Sequence, residues 1–262
     1  WIKARGTSGS SHRLIDSAWS LSANDYLDTS STSAPFDGPV INTFNTNGFN
    51  LDSNWYGNSS DSSYGGEYVS WTFRNSPMFQ CLTYTGNGTA GRTVSHNLGS
   101  IPGMFIVKEY GASGENWSVY HRGLGATKTI SLNRTNAASD SSNHWNDTAP
   151  TSTEFTLGDE AGVNGNGKSF VAYLFAHNDG DGTFGPDGDQ DIIKCGSYTE
   201  VNGADVKVDL GFEPQWIMIK VTSTTGGWGM YDVMRGWTSG SDDFALSANT
   251  SNAESNVGAR WL

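Results

Sequence analysis

The feature that most constrains this chain is an internal repeat centred on residues 79–177. Short apolar and aromatic segments within this stretch predict strands at Gln80–Tyr84, Met104–Lys108, Trp117–Tyr120, Ser152–Leu157 and Ser169–Ala176. The second of these segments follows a turn that contains Pro102 and Gly103. Its uninterrupted apolar run predicts a strand that is buried on both faces. Because a repeat decides the architecture of a whole chain, the remaining sequence is best compared with this stretch first.

The C-terminal part of the chain repeats the beginning of the central stretch in the same order. Residues 190–199 match 78–85, residues 210–220 match 98–108, and residues 228–231 match 117–120. This copy begins near Asp191 and stops at Leu262, where the central stretch has reached about Trp145. The sequence therefore predicts a third module that is incomplete at its C-terminal end.

The N-terminal part shows the opposite truncation. Residues 1–3 correspond to 106–108, residues 43–51 resemble the strand at 153–157, and residues 67–73 correspond to 169–175. The chain has no initiator Met, and both of its ends fall inside a module. We therefore expect a fragment of a longer repeat protein.

These matches predict a division into modules of about a hundred residues each, within the usual size of a domain. The predicted parts are a first module at 1–77, a complete central module at 78–177, an Asp/Gly-rich junction at 178–190 and a third module at 191–262. The 33 Gly residues and the 12% of aromatic residues favour short strands joined by tight turns. The predicted fold class is all-β, with tandem β-sandwich-like modules, long polar loops and a separate core in each module.

The charge and the cysteines exclude several classes of function. A net charge of −12 argues against binding to nucleic acid or to an anionic membrane surface, since both attract clustered Lys and Arg. No apolar run is long enough to span a membrane, so we expect no membrane insertion. Cys81 and Cys195 occupy the same position in consecutive modules, and separate cores would keep them apart. We expect two small buried thiols and no disulfide.

The segment Tyr120–Gly123 contains His121 beside Arg122 and invites a catalytic interpretation. The corresponding position is Asp232 in the third module and lies near Asp16 in the first module. A general base would not change between His and Asp while its surroundings persist, so a structural turn is the preferred interpretation. The same structural interpretation applies to other polar residues, namely His144, His177, Arg122 and Arg235. We find no nucleophile–base order, metal-spaced His or Cys, or phosphate loop, and we predict no catalytic residue and no enzyme.

The junction between the central and third modules is the one candidate metal site. Five Asp residues alternate with Gly there: Asp179, Asp181, Asp187, Asp189 and Asp191. Calcium takes six to eight oxygen ligands from a flexible loop, and this composition supplies such ligands. The spacing is not that of an EF-hand, and a solvated acidic linker explains the same residues. Calcium is therefore the only cofactor that the sequence indicates.

A polar loop of the first module is a candidate sugar-binding site. Trp55, Tyr56 and Tyr64 flank residues 57–66, and exposed aromatic rings on a loop can stack on sugar rings. The alternative is that these rings cover the end of the sheet stack.

The sequence resembles an uncharacterised repeat found in large virion proteins of marine tailed phages, especially those of cyanobacteria. The resemblance rests on segments Tyr84–Gly88, His96–Lys108, Trp145–Leu157, Tyr173–His177, Gly185–Asp191 and Trp216–Lys220. In those proteins the repeat often follows a laminin-G or concanavalin-like β-sandwich. The resemblance implies a location on the virion, in a tail fibre or another fibre or decoration of the particle that meets the host surface. It supplies no catalytic or binding residues.

The leading hypothesis is a non-enzymatic structural and adhesive component of a phage particle, exposed on the particle surface or tail and thus extracellular. Its expected partners are other copies of itself in a homotrimer or other oligomer, other virion proteins, and a host surface glycan or protein. An alternative is a viral or secreted carbohydrate-binding module. A polysaccharide depolymerase would need two carboxylates about 5–10 Å apart in a groove, for which the sequence gives no support.

Overall fold

The computed structural model describes residues 1–19, 25–38, 40–52, 57–59, 66–177, 192–236 and 243–257. Strands make up 37% of the structure and helices 5%, and the strands form several antiparallel sheets. The prediction of an all-β, sandwich-like fold is therefore confirmed.

The first module contains a five-stranded sheet and a separate hairpin. Its strands are β1 (Ile2–Ala4), β2 (Arg13–Leu14), β3 (Asp25–Asp28), β4 (Phe36–Asp37), β5 (Ile41–Asn45), β6 (Gly48–Leu51) and β7 (Tyr68–Ser70). The first sheet has the order β4-β3-β2-β1-β7, and β5 pairs with β6 outside it.

The central module contains a six-stranded sheet, a second strand pair and two short helices. Its strands are β8 (Phe79–Thr85), β9 (Arg92–Ser95), β10 (Pro102–Glu109), β11 (Ser118–His121), β12 (Lys128–Ser131), β13 (Ser139–Asp140), β14 (Glu154–Leu157) and β15 (Ser169–Ala176). The helices α1 (Ser142–Trp145) and α2 (Ala161–Asn164) lie on either side of β14 in the chain. The central sheet has the order β13-β12-β11-β10-β15-β8, and β9 pairs with β14.

The third module contributes a four-stranded sheet to the described residues. It consists of β16 (Trp216–Lys220), β17 (Trp228–Asp232), β18 (Phe244–Ser247) and β19 (Ser255–Asn256), in that order. A 3-10 turn at Val233–Arg235 follows β17. This order repeats β10-β11-β12-β13 of the central sheet and β1-β2-β3-β4 of the first sheet. The three sheets therefore share the same order of four consecutive antiparallel strands.

The strand predicted at Met104–Lys108 is β10, which begins earlier than predicted, at Pro102 of the Pro-Gly turn. All eight of its residues are buried, which confirms the expectation of a strand covered on both faces. The side chain of Ile106 packs in one apolar cluster, and the neighbouring Phe105 and Val107 pack in another. This division follows from the alternation of side chains along a strand.

The cluster that contains Ile106 joins all three modules. Its buried members include Leu14 and Leu27 from the first module and Met230 and Leu246 from the third. The expectation of a separate core for each module is therefore wrong for this inner face of the sheets. Apolar runs predict that a strand is covered but do not say which neighbour covers it.

The outer faces of the first and central sheets have cores of their own. In the central module, Phe105 packs with Trp145, Phe155 and Leu157 beneath the β9–β14 pair. In the first module the corresponding cluster includes Ile2, with Phe49 and Leu51 of the β5–β6 hairpin packed against it. Cys195 lies in the shared inner core and Cys81 packs against it, and both thiols are free.

One segment differs from its predicted counterpart. Residues 192–199 match the β8 sequence, yet they form no strand. In the central sheet β8 pairs with β15, along a register that runs from Phe79↔Phe175 to Thr85↔Ser169. The described part of the third module has no counterpart of β15, so this segment lacks the edge on which β8 forms.

Candidate functional site

Three backbone hydrogen bonds at equivalent positions join the three sheets. In each case an N–H in the loop after β1, β10 or β16 donates to a carbonyl in the segment that follows β18, β3 or β12, respectively, in another sheet. The three bonds are Gly9 N to Ser251 O (2.9 Å), Gly114 N to Thr32 O (2.9 Å) and Gly226 N to Thr135 O (2.8 Å). They link the first sheet to the third, the central to the first and the third to the central. The sheets therefore close into a ring.

An indole hydrogen bond repeats the same linkage at two of the three junctions. Trp117 Nε1 donates to Asp28 O at 3.1 Å, and Trp228 Nε1 donates to Ser131 O at 3.0 Å. His12 occupies the third equivalent position, where it faces the backbone at the end of β18. Burial lowers the pKa of His12 to about 3, with a smaller contribution from the charge of Lys3.

The segments that accept these bonds were not predicted from the sequence. The acceptor segments are residues 27–34, 130–137 and 246–253, and they share a pattern. Each has an aliphatic residue at its first position, Asp or Ser at the second, Thr or Ser at the sixth and Ala at the eighth. The three segments start in β3, β12 and β18, respectively. This spacing was the available signal, but the acceptors are backbone carbonyls and leave little trace in side-chain identity.

The junction between the first and third sheets contains a buried ionic cluster. Arg5 donates to Glu254 through Nε at 2.6 Å and through Nη2 at 3.2 Å, and the pKa of Arg5 is raised by this partner. Arg235 Nη1 lies 3.7 Å from the same Glu254, and its Nε donates to Asp232 at 2.7 Å. Trp71 completes the cluster, because its Nε1 donates to Asp232 at 3.1 Å and its ring lies 5.5 Å from the Arg235 guanidinium. Arg235 therefore ties the turn after β17 to a carboxylate and, through Nη2, to the Met230 carbonyl, which agrees with the structural interpretation.

The junction between the first and central sheets is built around Asp16. Its Oδ2 accepts the Tyr173 hydroxyl at 2.6 Å, and its Oδ1 accepts the backbone N–H of Ala18 at 2.7 Å. Trp19 Nε1 in turn donates to the Tyr173 oxygen at 3.4 Å. Burial first, and then the nearby Asp16 carboxylate, raise the pKa of the Cys81 thiol well above its usual value. The thiol is therefore protonated and poorly nucleophilic.

These two junctions explain the position at which the modules carry His121, Asp16 or Asp232. Asp16 and Asp232 each accept a hydrogen bond from an aromatic side chain of a neighbouring sheet, Tyr173 and Trp71 respectively. His121 accepts the Gly123 N–H through Nδ1 at 3.1 Å, and burial lowers its pKa. At this position, Asp16 and Asp232 bond to a neighbouring sheet and His121 bonds to its own turn. These contacts support the structural interpretation of His121.

His144 and His177 make local contacts of the same structural kind. His144 Nδ1 lies 2.7 Å from Ser141 Oγ, and burial lowers the pKa of His144 to about 4. His177 Nδ1 accepts the backbone N–H of Cys195 at 3.0 Å, which fastens the start of the third module to the end of β15.

The surface of the central module carries an open polar cavity of about 450 Å³. It lies where β13 leads into α1 and is lined by Thr127, Asp140, Ser141, Ser142, Asn143 and Asp147. Lys128 Nζ donates to Asp140 at 2.8 Å at its edge. Hydroxyl, amide and carboxylate groups offer both donors and acceptors to a polyhydroxylated ligand. Sequence analysis did not predict this cavity.

A second surface feature is the edge of the third sheet formed by β16. Its five residues are only half-buried, whereas the equivalent β10 is completely buried. Val221, which follows β16, is 46% exposed, and Met234, in the 3-10 turn after β17, is 87% exposed. Among the described residues, β16 has a strand partner on one side only.

The candidate residues predicted from sequence lie outside the described residues. This holds for the candidate calcium ligands Asp179, Asp181, Asp187, Asp189 and Asp191, and for the candidate sugar-stacking residues Trp55, Tyr56 and Tyr64. Both sites remain predictions. Among the residues that are described, no group of three or more His, Cys, Asp or Glu residues is arranged to hold a metal ion. Likewise, no helix in the described ranges is long and apolar enough to cross a membrane.

Comparison with known protein families gives one match, which covers residues 1–262. The matching family is described as a domain of unknown function (DUF7483), and the chain belongs to this family. Searches of curated proteins and of solved structures found no match.

Proposed function

We propose that this chain is a non-enzymatic structural and adhesive module of a virus particle, placed in a tail fibre or surface fibre that contacts the host. The observation that carries the proposal is the ring of three like sheets closed by the bonds at Gly9, Gly114 and Gly226. A ring held by backbone hydrogen bonds and buried ion pairs is a rigid support for surface loops. Rigid supports with variable loops are a common basis for binding proteins.

The contacts of several buried or half-buried ionisable groups among the described residues favour a structural role over a catalytic one. Asp232 and Arg235 bond to each other and to neighbouring elements, and Asp16 bonds to Tyr173. Lys108 Nζ donates to the backbone oxygen of Glu115 at 3.1 Å. Each of these groups is used to join elements of the fold.

The polar cavity favours a glycan as the host ligand, which is the carbohydrate-binding alternative. Asp140, Asp147 and Asn143 lie among hydroxyl groups, a combination suited to the hydroxyls of a sugar. Because the chain carries a net charge of −12, neutral or amino sugars are favoured over acidic ones. Several weak sites presented along a fibre would bind through avidity.

Localisation in purified particles tests the proposed role. We expect mass spectrometry of the particles to contain peptides of this chain and antibody labelling to mark tail or surface fibres. Absence from particles, together with secretion of the protein alone, would contradict the virion role and leave the carbohydrate-binding alternative.

A glycan array with the purified protein tests the ligand. We expect binding to neutral or amino sugars that falls at least tenfold in Asp147→Ala and is unchanged in Asp205→Ala. Asp205 is the matched control because it is an exposed carboxylate outside the cavity. Equal binding by both variants would exclude the cavity as the glycan site.

A further inference from the structure

The open edge of the third sheet occupies a place that is filled in the other two sheets. In the first sheet β1 lies between β2 and β7, and in the central sheet β10 lies between β11 and β15. Their counterpart β16 pairs with β17 on one side and, within the described residues, with no strand on the other. The same sheet therefore occurs twice with this place occupied and once with it open.

The burial of β16 shows what the open place exposes. All three residues of β1 and all eight of β10 are buried, but none of the five residues of β16 is. Trp216 Nε1 is buried without a hydrogen-bond partner among the described residues. Trp216 and Met218 pack only at the margin of the shared core. A half-covered strand at the edge of a sheet is a template for the addition of another strand.

The two occupied places define the strand that fits the open one. Both occupants run antiparallel to their neighbour, with registers Ile2↔Ser70 and Val107↔Ala172. Both carry Val and then two aromatic residues at alternate positions, and the Val and the first aromatic residue pack in or against the shared core. The two sets are Val69, Trp71 and Phe73, and Val171, Tyr173 and Phe175. The second aromatic residue is buried as Phe175 but 40% exposed as Phe73, whose ring centroid lies 5.5 Å from that of Phe175 and 6.3 Å from that of Trp216.

We propose that β16 is an acceptor for one extended strand of this type, supplied by polypeptide outside these 262 residues and paired antiparallel to β16. The incoming strand carries a valine-like residue and two aromatic residues at alternate positions, and these side chains enter the shared core beside Trp216 and Met218. Backbone hydrogen bonds hold the strand, and the alternating side chains set its register.

The identity of His121 indicates which aromatic residue the incoming strand should carry first. The first aromatic residue of the pattern bonds to the next sheet, as Trp71 does to Asp232 and Tyr173 does to Asp16. For a strand on β16, the corresponding position is His121. Its Nδ1 accepts the Gly123 N–H, so the neutral ring carries its proton on Nε2 and donates. A tyrosine hydroxyl can accept that bond and an indole N–H cannot, so Tyr is favoured over Trp.

The test uses a fluorescent peptide with the sequence of residues 67–74 and Trp71→Tyr, added to the purified protein. We expect saturable binding by fluorescence anisotropy and slower hydrogen exchange at alternate amides of Trp216–Lys220. Two control peptides carry N-methyl groups on alternate residues, one series on positions 68, 70 and 72 and the other on 69, 71 and 73. One series faces β16 and should weaken binding at least tenfold, while the other faces away and should leave it unchanged.

Four outcomes would overturn the proposal. Equal effects of both N-methyl series would exclude a strand ladder. Equal binding of the Tyr and Trp peptides, or a Tyr preference that persists in His121→Ala, would exclude the assigned register. Protection of β16 that depends on protein concentration and not on peptide, with oligomers in sedimentation, would identify a second copy as the occupant. These results concern the isolated protein, so they are independent of whether the chain is found on particles.

Discussion

The ionic cluster between the first and third sheets leads to a quantitative prediction for Glu254→Gln. Glu254 is 7% exposed and accepts two hydrogen bonds from Arg5, which is 27% exposed, while Arg235 Nη1 lies 3.7 Å away. Removing one partner of a fully buried ion pair costs about 3–5 kcal/mol. The partial exposure of Arg5 and the remaining amide oxygen of Gln reduce this, so we expect a loss of about 2 kcal/mol in the free energy of unfolding.

The assay is urea denaturation followed by tryptophan fluorescence, with Glu67→Gln as the matched control. Glu67 also lies near Arg5, at 4.0 Å, but it is 71% exposed. The control should therefore change stability by no more than about 0.5 kcal/mol. A double-mutant cycle with Arg5→Met then isolates the coupling between Arg5 and Glu254.

The structural consequence of Glu254→Gln can be distinguished from a general loss of stability. Arg5 belongs to the first module and Glu254 to the third, so their bond closes the ring. We expect the third sheet to separate first, which would appear as a broadened or two-step transition. A loss below about 0.5 kcal/mol with one sharp transition, matching Glu67→Gln, would refute the argument that this cluster holds the junction together.

Three further predictions concern other contacts of the ring and the central module. His12 has a pKa of about 3 in the folded protein and an ordinary value of 6.5, so the unfolded chain takes up the proton at higher pH than the folded chain does. The contribution of His12 to stability should therefore be complete above pH 6.5 and should fall as the pH drops. We expect His12→Gln to reduce the dependence of the urea midpoint on pH between pH 6.5 and 5, and an unchanged dependence would contradict this. Tyr173→Phe removes the 2.6 Å bond to Asp16 and should cost about 1.5–3 kcal/mol in urea denaturation. Its control, Tyr198→Phe at a residue that is 45% exposed, should be neutral, and equal effects would show that the bond adds nothing. Gly158→Ala would place a Cβ 2.0 Å from the Asn143 carbonyl oxygen and should cost at least about 2 kcal/mol by thermal unfolding. Gly196→Ala meets no atom within 4 Å and should be tolerated, so similar melting temperatures for the two variants would argue against the close packing at Gly158.

The strands could be predicted because apolar runs and turn residues in the sequence indicate where strands begin and which side chains are buried. The Pro-Gly turn before Met104 and the apolar run after it predicted β10, and the matches at residues 210–220 and 228–231 lead to β16 and β17. Comparison of the modules also identified the shared position of His121, Asp232 and Asp16. Strand position and alternation follow from local sequence, and a repeat multiplies the signal.

The closure of the ring was not predictable by the same means. Its repeated bonds run between backbone atoms, as from Gly226 N to Thr135 O, and impose little on side chains. The shared core contradicted the expectation of separate cores, because an apolar residue such as Met230 is equally suited to either arrangement. Residues 192–199 carry a strand sequence, but the described part of the third module has no counterpart of β15 with which they could pair. The polar cavity combines residues from β13, α1 and the turn beyond it, each unremarkable by itself.

The bonds between the first and third modules also determine when the molecule can become complete. Gly9 meets Ser251, and Arg5 meets Glu254, so these contacts join residues that are separated by nearly the whole chain. Contacts of such long sequence separation slow folding, because a large loop must close before they form. During synthesis the first and central sheets emerge from the ribosome well before the residues that close the ring. Their inner apolar faces therefore remain uncovered until the third sheet has been synthesised. During this interval, association with other chains competes with folding.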